Sequence, residues 1–361
     1  MYSMNRTALF AVLACGGCVI AEPELGSTAQ ALVKDDGCPP NECGSNSSVI
    51  DGVHFYELST SLGIPNSEGV TVTGYFGLPA GTTRLDVYNN ELVARNANGT
   101  VVRRGSQLLY SGFELEVNGK VTYLWVTAFH RTLNYWAKPA PPGALHSYRF
   151  DYIVEGSGIS TPRPLCTVTA LADGEAALDA FVFEGDRYDP TTKQISTGAA
   201  TKGWFNIAFM GGAPAKTHRM RATTASSDLA NGVTSTLAQR QALFNMWTGN
   251  YCGDGTSFTV PGEPLRVRDA KNWIAHTSAW SWQDDNKVAS YEAVWNADGA
   301  VCLDVPRRDD DAPGYRDVIA EHCANVDHPL PQCSQLKAFP DNWQDRGWYF
   351  TANPFEFAVI P

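Results

Sequence analysis

The sequence predicts a β-rich chain of two domains: an antiparallel β-sandwich or barrel-like domain over residues 49–158, then an α+β domain over 165–361. Three observations carry that prediction. The 361 residues exceed by more than twofold the roughly 150-residue size of a common domain. The first half alternates apolar and polar residues with a period of two and carries Asn-Gly turns, the pattern of antiparallel hairpins. Beyond a Gly- and Pro-rich hinge at 156–164, short apolar runs alternate with helical stretches.

Taken in order, Arg6 supplies one cation and Thr7–Ala14 a short apolar run, too short against the ~20 residues a membrane-spanning helix needs. Residues 1–18 therefore read as a signal peptide. Val12-Leu13-Ala14-Cys15 has the layout of a lipobox, with Cys18 after Gly16-Gly17 as the second choice of lipidated residue and cleavage after Ala31 as an unanchored third route. Residues 19–48, rich in Gly, Ser, Pro and Asn, read as a tether pinned by a loop between Cys38 and Cys43.

From Val49 the strands follow one another without a helix. Phe113–Val117 and Lys120–Trp125 flank Asn118-Gly119, and Asn98-Gly99 repeats the device between Leu92–Ala94 and Thr100–Val102. Such a turn needs positive φ at its central residues, which Asn and Gly tolerate. Ser147–Val154 closes the domain as another alternating strand. Past the hinge, Ala180–Phe183 and Trp204–Phe209 read as buried strands. Thr236–Trp247 reads as a helix: Thr236 and Gln239 have capping-box spacing, Gly249 stands just past the end, and Leu237, Gln241, Phe244 and Trp247 lie on one stripe. Tyr291–Trp295 and Ala300–Asp304 form a hairpin across residues 296–299, and a shorter helix covers Tyr315–Ala324.

Composition narrows the function classes. A net charge of −11, with no cluster of Lys and Arg, argues against nucleic acid, whose binders neutralise phosphates with basic side chains. Nine cysteines in a chain with a signal-like start read first as disulfide partners, because exported proteins meet an oxidising compartment. Cys38–Cys43 and Cys323–Cys333 are the local pairs, and Cys252–Cys302 would close a fifty-residue loop. Each closure is worth about 2–4 kcal/mol in the chain-entropy model. Seven cysteines follow the signal, so one thiol is left over unless Cys18 survives as an eighth.

The second half carries Arg240-Gln241-Ala242, Gly249-Asn250-Tyr251-Cys252-Gly253-Asp254-Gly255, Phe258-Thr259, Gly262-Glu263-Pro264-Leu265, and Trp295 with Gly299–Leu303. Together with Glu184–Tyr188 and Gly203–Asn206 these motifs resemble the ADYC domain family of exported bacterial proteins, named for Ala-Asp-Tyr-Cys after a helix, over residues 165–355. Here Gly249-Asn250 replaces Ala-Asp, while Tyr251-Cys252-Gly253 stands. The family has no established activity, so the resemblance implies a location and a domain rather than a reaction.

Sharper chemistry competes with simpler readings. Cys252 as a nucleophile would need His218 or His276 as its base; a disulfide is favoured. His322, Cys323, Asp327 and His328 crowd together but match no zinc spacing, and Asp309–Asp311 lacks the spaced ligands of a calcium loop, so no metal and no cofactor is expected. Trp280 and Trp282 share a strand face that would serve as a stacking platform or as core. Gly-x-Ser-x-Gly and His-Glu-x-x-His are absent, and Asp254, Glu263 and Asp269 are scattered carboxylates whose geometry no spacing reveals. The expectation is an exported cell-envelope protein at the outer membrane, cell surface or periplasm, in contact with membrane only through its lipid and acting as a binding module for a protein or glycan. A hydrolase of envelope polymers and a purely structural surface component are the alternatives.

Overall fold

The computed structural model describes residues 47–133, 145–158, 161–166, 179–209, 211–222, 235–259, 265–270, 288–308, 314–339 and 342–354. The first strands are β1 (Ser48–Ile50), β2 (Val53–Phe55), β3 (Glu57–Ser59), β4 (Thr71–Phe76), β5 (Arg84–Tyr88), β6 (Glu91–Arg95) and β7 (Val101–Arg104). Then come β8 (Gly112–Val117), β9 (Lys120–Leu133), β10 (Leu145–Val154), β11 (Arg163–Pro164), β12 (Asp179–Glu184), β13 (Arg187–Tyr188), β14 (Ile195–Ser196) and β15 (Trp204–Phe209). Helices α1 (Ala213–Arg219) and α2 (Leu237–Thr248) precede β16 (Arg266–Asp269), β17 (Val288–Asn296) and β18 (Gly299–Leu303); α3 (Tyr315–Asn325) and β19 (Tyr349–Pro354) follow.

The β-rich class is as predicted, and so are most of the individual elements. Asn118 and Gly119 both take positive φ, 51° and 71°, in the two-residue turn that joins Val117 to its partner Lys120. Between β6 and β7 the turn is wider than the repeated Asn-Gly device implies. Only Gly99 has positive φ there, and the Asn96 side chain caps the turn by accepting from the backbone N–H of Asn98 and Thr100. Asn89-Asn90, at φ 52° and 59°, supplies the tight turn between β5 and β6.

The boundary expected between 158 and 165 needs correction. An eight-stranded sheet runs in the order β3-β15-β12-β10-β9-β8-β4, with β11 paired to β10. Ser147 on β10 pairs with Phe181 on β12, and Phe205 on β15 pairs with Leu58 on β3. Strands from beyond the hinge therefore complete the first sheet, and the passage to the second falls between β15 and β16. Ala180 and Val182 face one side of the sheet, Phe181 and Phe183 the other, and all four are buried. A strand in the middle of a sheet covered on both faces must be apolar throughout.

Layers follow from these faces. The small sheet β5-β6-β7 lays Leu85, Val87, Leu92 and Ala94 against Leu115, Leu124, Val126 and Phe150 of the large sheet. On the opposite face Phe181, Phe183 and Ala208 pack with Ala213 and Ala215 of α1 and Phe244 of α2. The other side of α2 places Ala242, Leu243 and Met246 against Ala293, Trp295 and Tyr349 of a second sheet, ordered β16-β19-β17-β18, with Ile319 of α3 beside them. Val294, Cys302 and Phe350 face the far side of that sheet and pack with Cys333.

Helix α2 thus lies between two sheets, and the single apolar stripe predicted for it is replaced by burial nearly all round. Leu237 is 41% exposed, while Gln239, Arg240, Gln241 and Asn245 are buried. The ends of the helix are as read from sequence: Thr236 and Gln239 form a reciprocal capping box, and Gly249 takes φ 61°.

One buried base makes the fold sensitive to acid. His218 of α1 stacks on Phe183 with ring centroids 4.2 Å apart, and burial pushes its imidazole down to about 3. The unfolded chain takes up a proton at His218 as pH falls through ~6.5, whereas the folded chain stays neutral until about 3, so stability is lost on acidification across that window. Unfolding free energies from urea titrations at about pH 7 and pH 4 should fall more for the wild type than for His218→Gln, by on the order of 3 kcal/mol. Parallel pH profiles for the two proteins would contradict this.

Candidate functional site

The family-like motif sits where α2 ends. Asn250 N–H reaches back to Asn245 O at 2.9 Å and Gly249 N–H to Met246 O at 3.3 Å, the paired bonds that a left-handed residue after a helix makes possible. This turn throws Asn250, Tyr251 and Cys252 sideways into the space between α2, the β17–β18 hairpin and α3.

Asn250 uses both ends of its amide. Its Oδ1 accepts from Gly255 N–H and its Nδ2 donates to Asn245 Oδ1, each at 3.1 Å. Asn245 also accepts from Gln241 Nε2 at 3.0 Å and donates to Ala297 O at 3.0 Å; Gln241 in turn donates to Lys193 O at 2.7 Å and accepts from Ile195 N–H at 2.9 Å. One line of buried amides therefore ties the β14 segment, α2, the motif turn and the β17–β18 turn together. Arg240 adds a charged tie on the same helix: its Nε donates to Asp186 at 2.5 Å, with side chains only 4% and 0% exposed.

Tyr251 lies 4.8 Å from the Trp295 ring, and its hydroxyl donates to Glu292 Oε1 at 2.5 Å. Glu292 also receives Arg307 Nε at 2.6 Å, and Arg307 Nη1 donates to Met246 O at 3.0 Å. Burial, with the Glu292 carboxylate beside it, pushes the Tyr251 phenol well above its ordinary range, so it serves as a neutral donor. The carboxylate and guanidinium balance one another, and the group is sealed: Glu292 is 0% and Arg307 3% exposed at the side chain.

Cys252 is joined to Cys323 of α3, with Cα atoms 4.9 Å apart, and Cys302 to Cys333. The four cysteines are paired as expected of disulfide candidates, but the partners expected for them, Cys252–Cys302 and Cys323–Cys333, are exchanged. The reason is the pleat of the second sheet. Trp295 and Tyr349 face α2 and α3, where Cys252 and Cys323 lie, whereas Val294 and Phe350 face the other side, where Cys302 meets Cys333. Among the described residues Cys166 is the free thiol; it is buried, and burial together with the Asp179 charge raises its pKa well above the usual thiol value. A thiol held protonated in this way is a poor nucleophile.

Gly253, at φ 72°, rides against the hairpin, and a Cβ there would run into the Asp298 carbonyl. Two residues on, Asp254 accepts from Thr256 N–H at 2.9 Å and lies 2.8 Å from His322 Nε2. Burial opposes its charge, but the Thr256 N–H and His322 outweigh it and hold the carboxyl below its usual range. The Cys252 sulfur, an Asp254 oxygen and a His322 nitrogen all lie within 4.8 Å of one another. The ligand set considered around His322 separates instead: His328 bonds Ala300 O at 2.7 Å. Asp254 was legible only as a scattered carboxylate, since its partner stands 68 residues away.

Other sequence candidates fall elsewhere. His218, a possible base for Cys252, is stacked in the core on Phe183. Cys15, Cys18, Cys38, Cys43, Glu263, His276, Trp280 and Trp282 lie outside the described residues. A polar group that sequence reading did not anticipate joins Ser147 Oγ and His130 Nδ1 to the same Asp179 oxygen, at 2.6 and 2.8 Å. The carboxylate stands in the middle, where a hydrolytic relay would need the imidazole.

A model of the ADYC domain matches residues 105–309, more than half of the chain. The protein belongs to the ADYC domain family. The matched region begins at Gly105, just before β8 of the first sheet, rather than at 165, and takes in β8 to β10 together with α2 and the β17–β18 hairpin. No curated protein and no solved structure gives a significant match.

The family's Asp is Asn250 here, and the geometry says why the amide is required in this chain. A carboxylate would set two oxygens against each other at the 3.1 Å Asn250–Asn245 contact, and Asn245 cannot turn over without pointing its oxygen at the Ala297 carbonyl. Asn250→Asp should therefore lower stability by about 1–3 kcal/mol, read from the urea midpoint at neutral pH. Wild-type stability in that variant would show that the amide ladder is not what fixes the turn.

Proposed function

We propose that the chain is an exported cell-envelope protein, held to a membrane by lipid on Cys15 or Cys18, and that it works as a disulfide-braced binding module for a protein or glycan of the envelope. The observation that carries this reading is the pair of bridges at the family motif, Cys252–Cys323 and Cys302–Cys333. Disulfides of this kind persist where the surroundings are oxidising, outside the cytosol. Among the described residues no helix is long and apolar enough to cross a membrane.

The motif is built for holding rather than for reacting. Cys252 is spent on a bridge, the Tyr251 hydroxyl on Glu292, and both ends of the Asn250 amide on buried partners. An acid for polymer hydrolysis would have its pKa raised toward neutrality, whereas Asp254 is held low. Support for binding comes from Tyr110. It is 70% exposed and sits at φ 66°, a conformation costly for a bulky side chain, beside Leu109 at 37% exposure. Aromatic residues are enriched at interfaces and retained backbone strain clusters at ligand-contacting sites, and Tyr110 combines the two features.

Mass spectrometry of the chain purified from envelope fractions, digested without reduction, should return Cys252–Cys323 and Cys302–Cys333 peptides and an acylated N-terminal Cys15 or Cys18. An unmodified N-terminus at Leu32 would end the anchor claim, and a freely alkylated Cys252 would reopen the nucleophile. On a glycan array, a sugar retained by the mature chain and lost in Tyr110→Ala would place the partner; an empty array would remove glycans and leave protein partners.

A further inference from the structure

We propose that Cys252, Asp254 and His322 form a binding site for zinc or a similar borderline divalent cation in the dithiol state of the chain, and that the bound cation and the Cys252–Cys323 bridge exclude one another. The three donor atoms already lie within 4.8 Å of one another. In a tetrahedral zinc site with bonds of about 2.0–2.3 Å, donor atoms stand roughly 3.3–3.8 Å apart, so closure asks for a movement of about 1 Å. Thiolate, imidazole and carboxylate together make the mixed donor set that zinc prefers over the hard cations.

The side chains are positioned before any ion arrives. Asp254 is oriented by Thr256, whose N–H and hydroxyl donate to it at 2.9 and 3.0 Å. His322 is held by α3, and the Phe258 ring stands edge-on to its imidazole at 5.3 Å. Gly253, between the two ligands of the first segment, is pinned to the β17–β18 turn. Asp254 and His322 keep 24% and 37% of their side chains in solvent, so a hydrated ion can reach them first and the buried sulfur last. The other bridge has no such setting: Cys302 and Cys333 pack with Val294, Phe339 and Phe350.

The chemistry balances with a dithiol reductant. Two electrons and two protons pass to the Cys252–Cys323 bridge, its sulfur–sulfur bond breaks to give two thiols, and the reductant closes its own disulfide. The cation then displaces the Cys252 proton to water. The fourth position falls to water or to the freed Cys323. A newly exported chain, whose bridge has yet to close, is in the same state without any reductant.

The test frees Cys252 without touching the second bridge. Cys323→Ser should bind one Co2+ per chain with a thiolate-to-cobalt charge-transfer band, and Zn2+ should displace it. Wild-type protein with the bridge closed should show no band, and adding His322→Ala to Cys323→Ser should weaken binding at least tenfold. Should Cys323→Ser lose its near-ultraviolet circular dichroism without metal, Zn2+ is expected to restore it. The proposal is overturned if folded Cys323→Ser with a titrated free thiol binds no stoichiometric cobalt, if Zn2+ fails to restore an unfolded variant, or if the His322→Ala change leaves affinity unaltered.

Discussion

Helix α2 is the constraint on which the rest of the molecule depends, because it is buried between two sheets while carrying four large polar side chains. Nine of its twelve residues are buried, Gln239, Arg240, Gln241 and Asn245 among them. A buried polar group without a partner costs about 1–3 kcal/mol, and a buried charge more. Gln239 closes the helix's own cap on Thr236, and the fold satisfies the other three by aiming each at a different element: Arg240 at Asp186 behind β12, Gln241 at the β14 segment, Asn245 at the β17–β18 turn. A hydrophobic helix could slide or rotate between two apolar faces at small cost. This one has a single rotation and a single height at which every donor meets its acceptor.

The ends of α2 convert that fixed position into a fixed motif. The Thr236 cap and the Gly249 turn set the length at twelve residues, roughly 18 Å. With the helix pinned along its sides, the turn must deliver Tyr251 under Trp295 and Cys252 against α3. The glycines at 253 and 299 follow from the same closeness. A Cβ at Gly299 would come within 2.5 Å of the Tyr251 carbonyl, so side chains are excluded where the two turns meet. Glu292, Arg307 and the bridge then fasten a geometry that backbone packing has already chosen.

Local structure was legible in the sequence because its causes are local. Asn118-Gly119 fixes a hairpin through two adjacent φ angles, and Thr236, Gln239 and Gly249 bound a helix by bonds within four residues. What pairs with what was hidden, since the period of a strand tells which face it covers and not which strand lies beside it. The all-apolar run Ala180–Phe183 already implied cover on both sides, yet nothing in it named β10 as the neighbour. The exchanged cysteine partners have the same origin: loop length favoured Cys323 with Cys333, but α3 and the 333–335 segment pack on opposite faces of the second sheet, and the pleat of β18 turns Cys302 toward the latter. The Asp254–His322 contact and the Gln241–Asn245–Asn250 ladder needed the tertiary fold, because in sequence a buried amide and an exposed one look alike.

The two bridges also differ in what they do for the chain. Their ends are 71 and 31 residues apart, and in the chain-entropy model the longer loop gives Cys252–Cys323 an advantage of about 0.7 kcal/mol over Cys302–Cys333. Accessibility runs the other way. Cys302 and Cys333 are both fully buried among apolar side chains, while Cys252 is 5% exposed beside a carboxylate and an imidazole open to water. Attack by an external thiolate depends on reaching a sulfur, and on the pKa of the thiol that leaves. The bridge that constrains the unfolded chain more is therefore the one with a sulfur nearer to water, which is what the proposed cation site requires. In the proposed dithiol state Cys302–Cys333 would still staple β18 to the 333–335 segment, so the second sheet would keep its brace while the motif turn and α3 lose theirs.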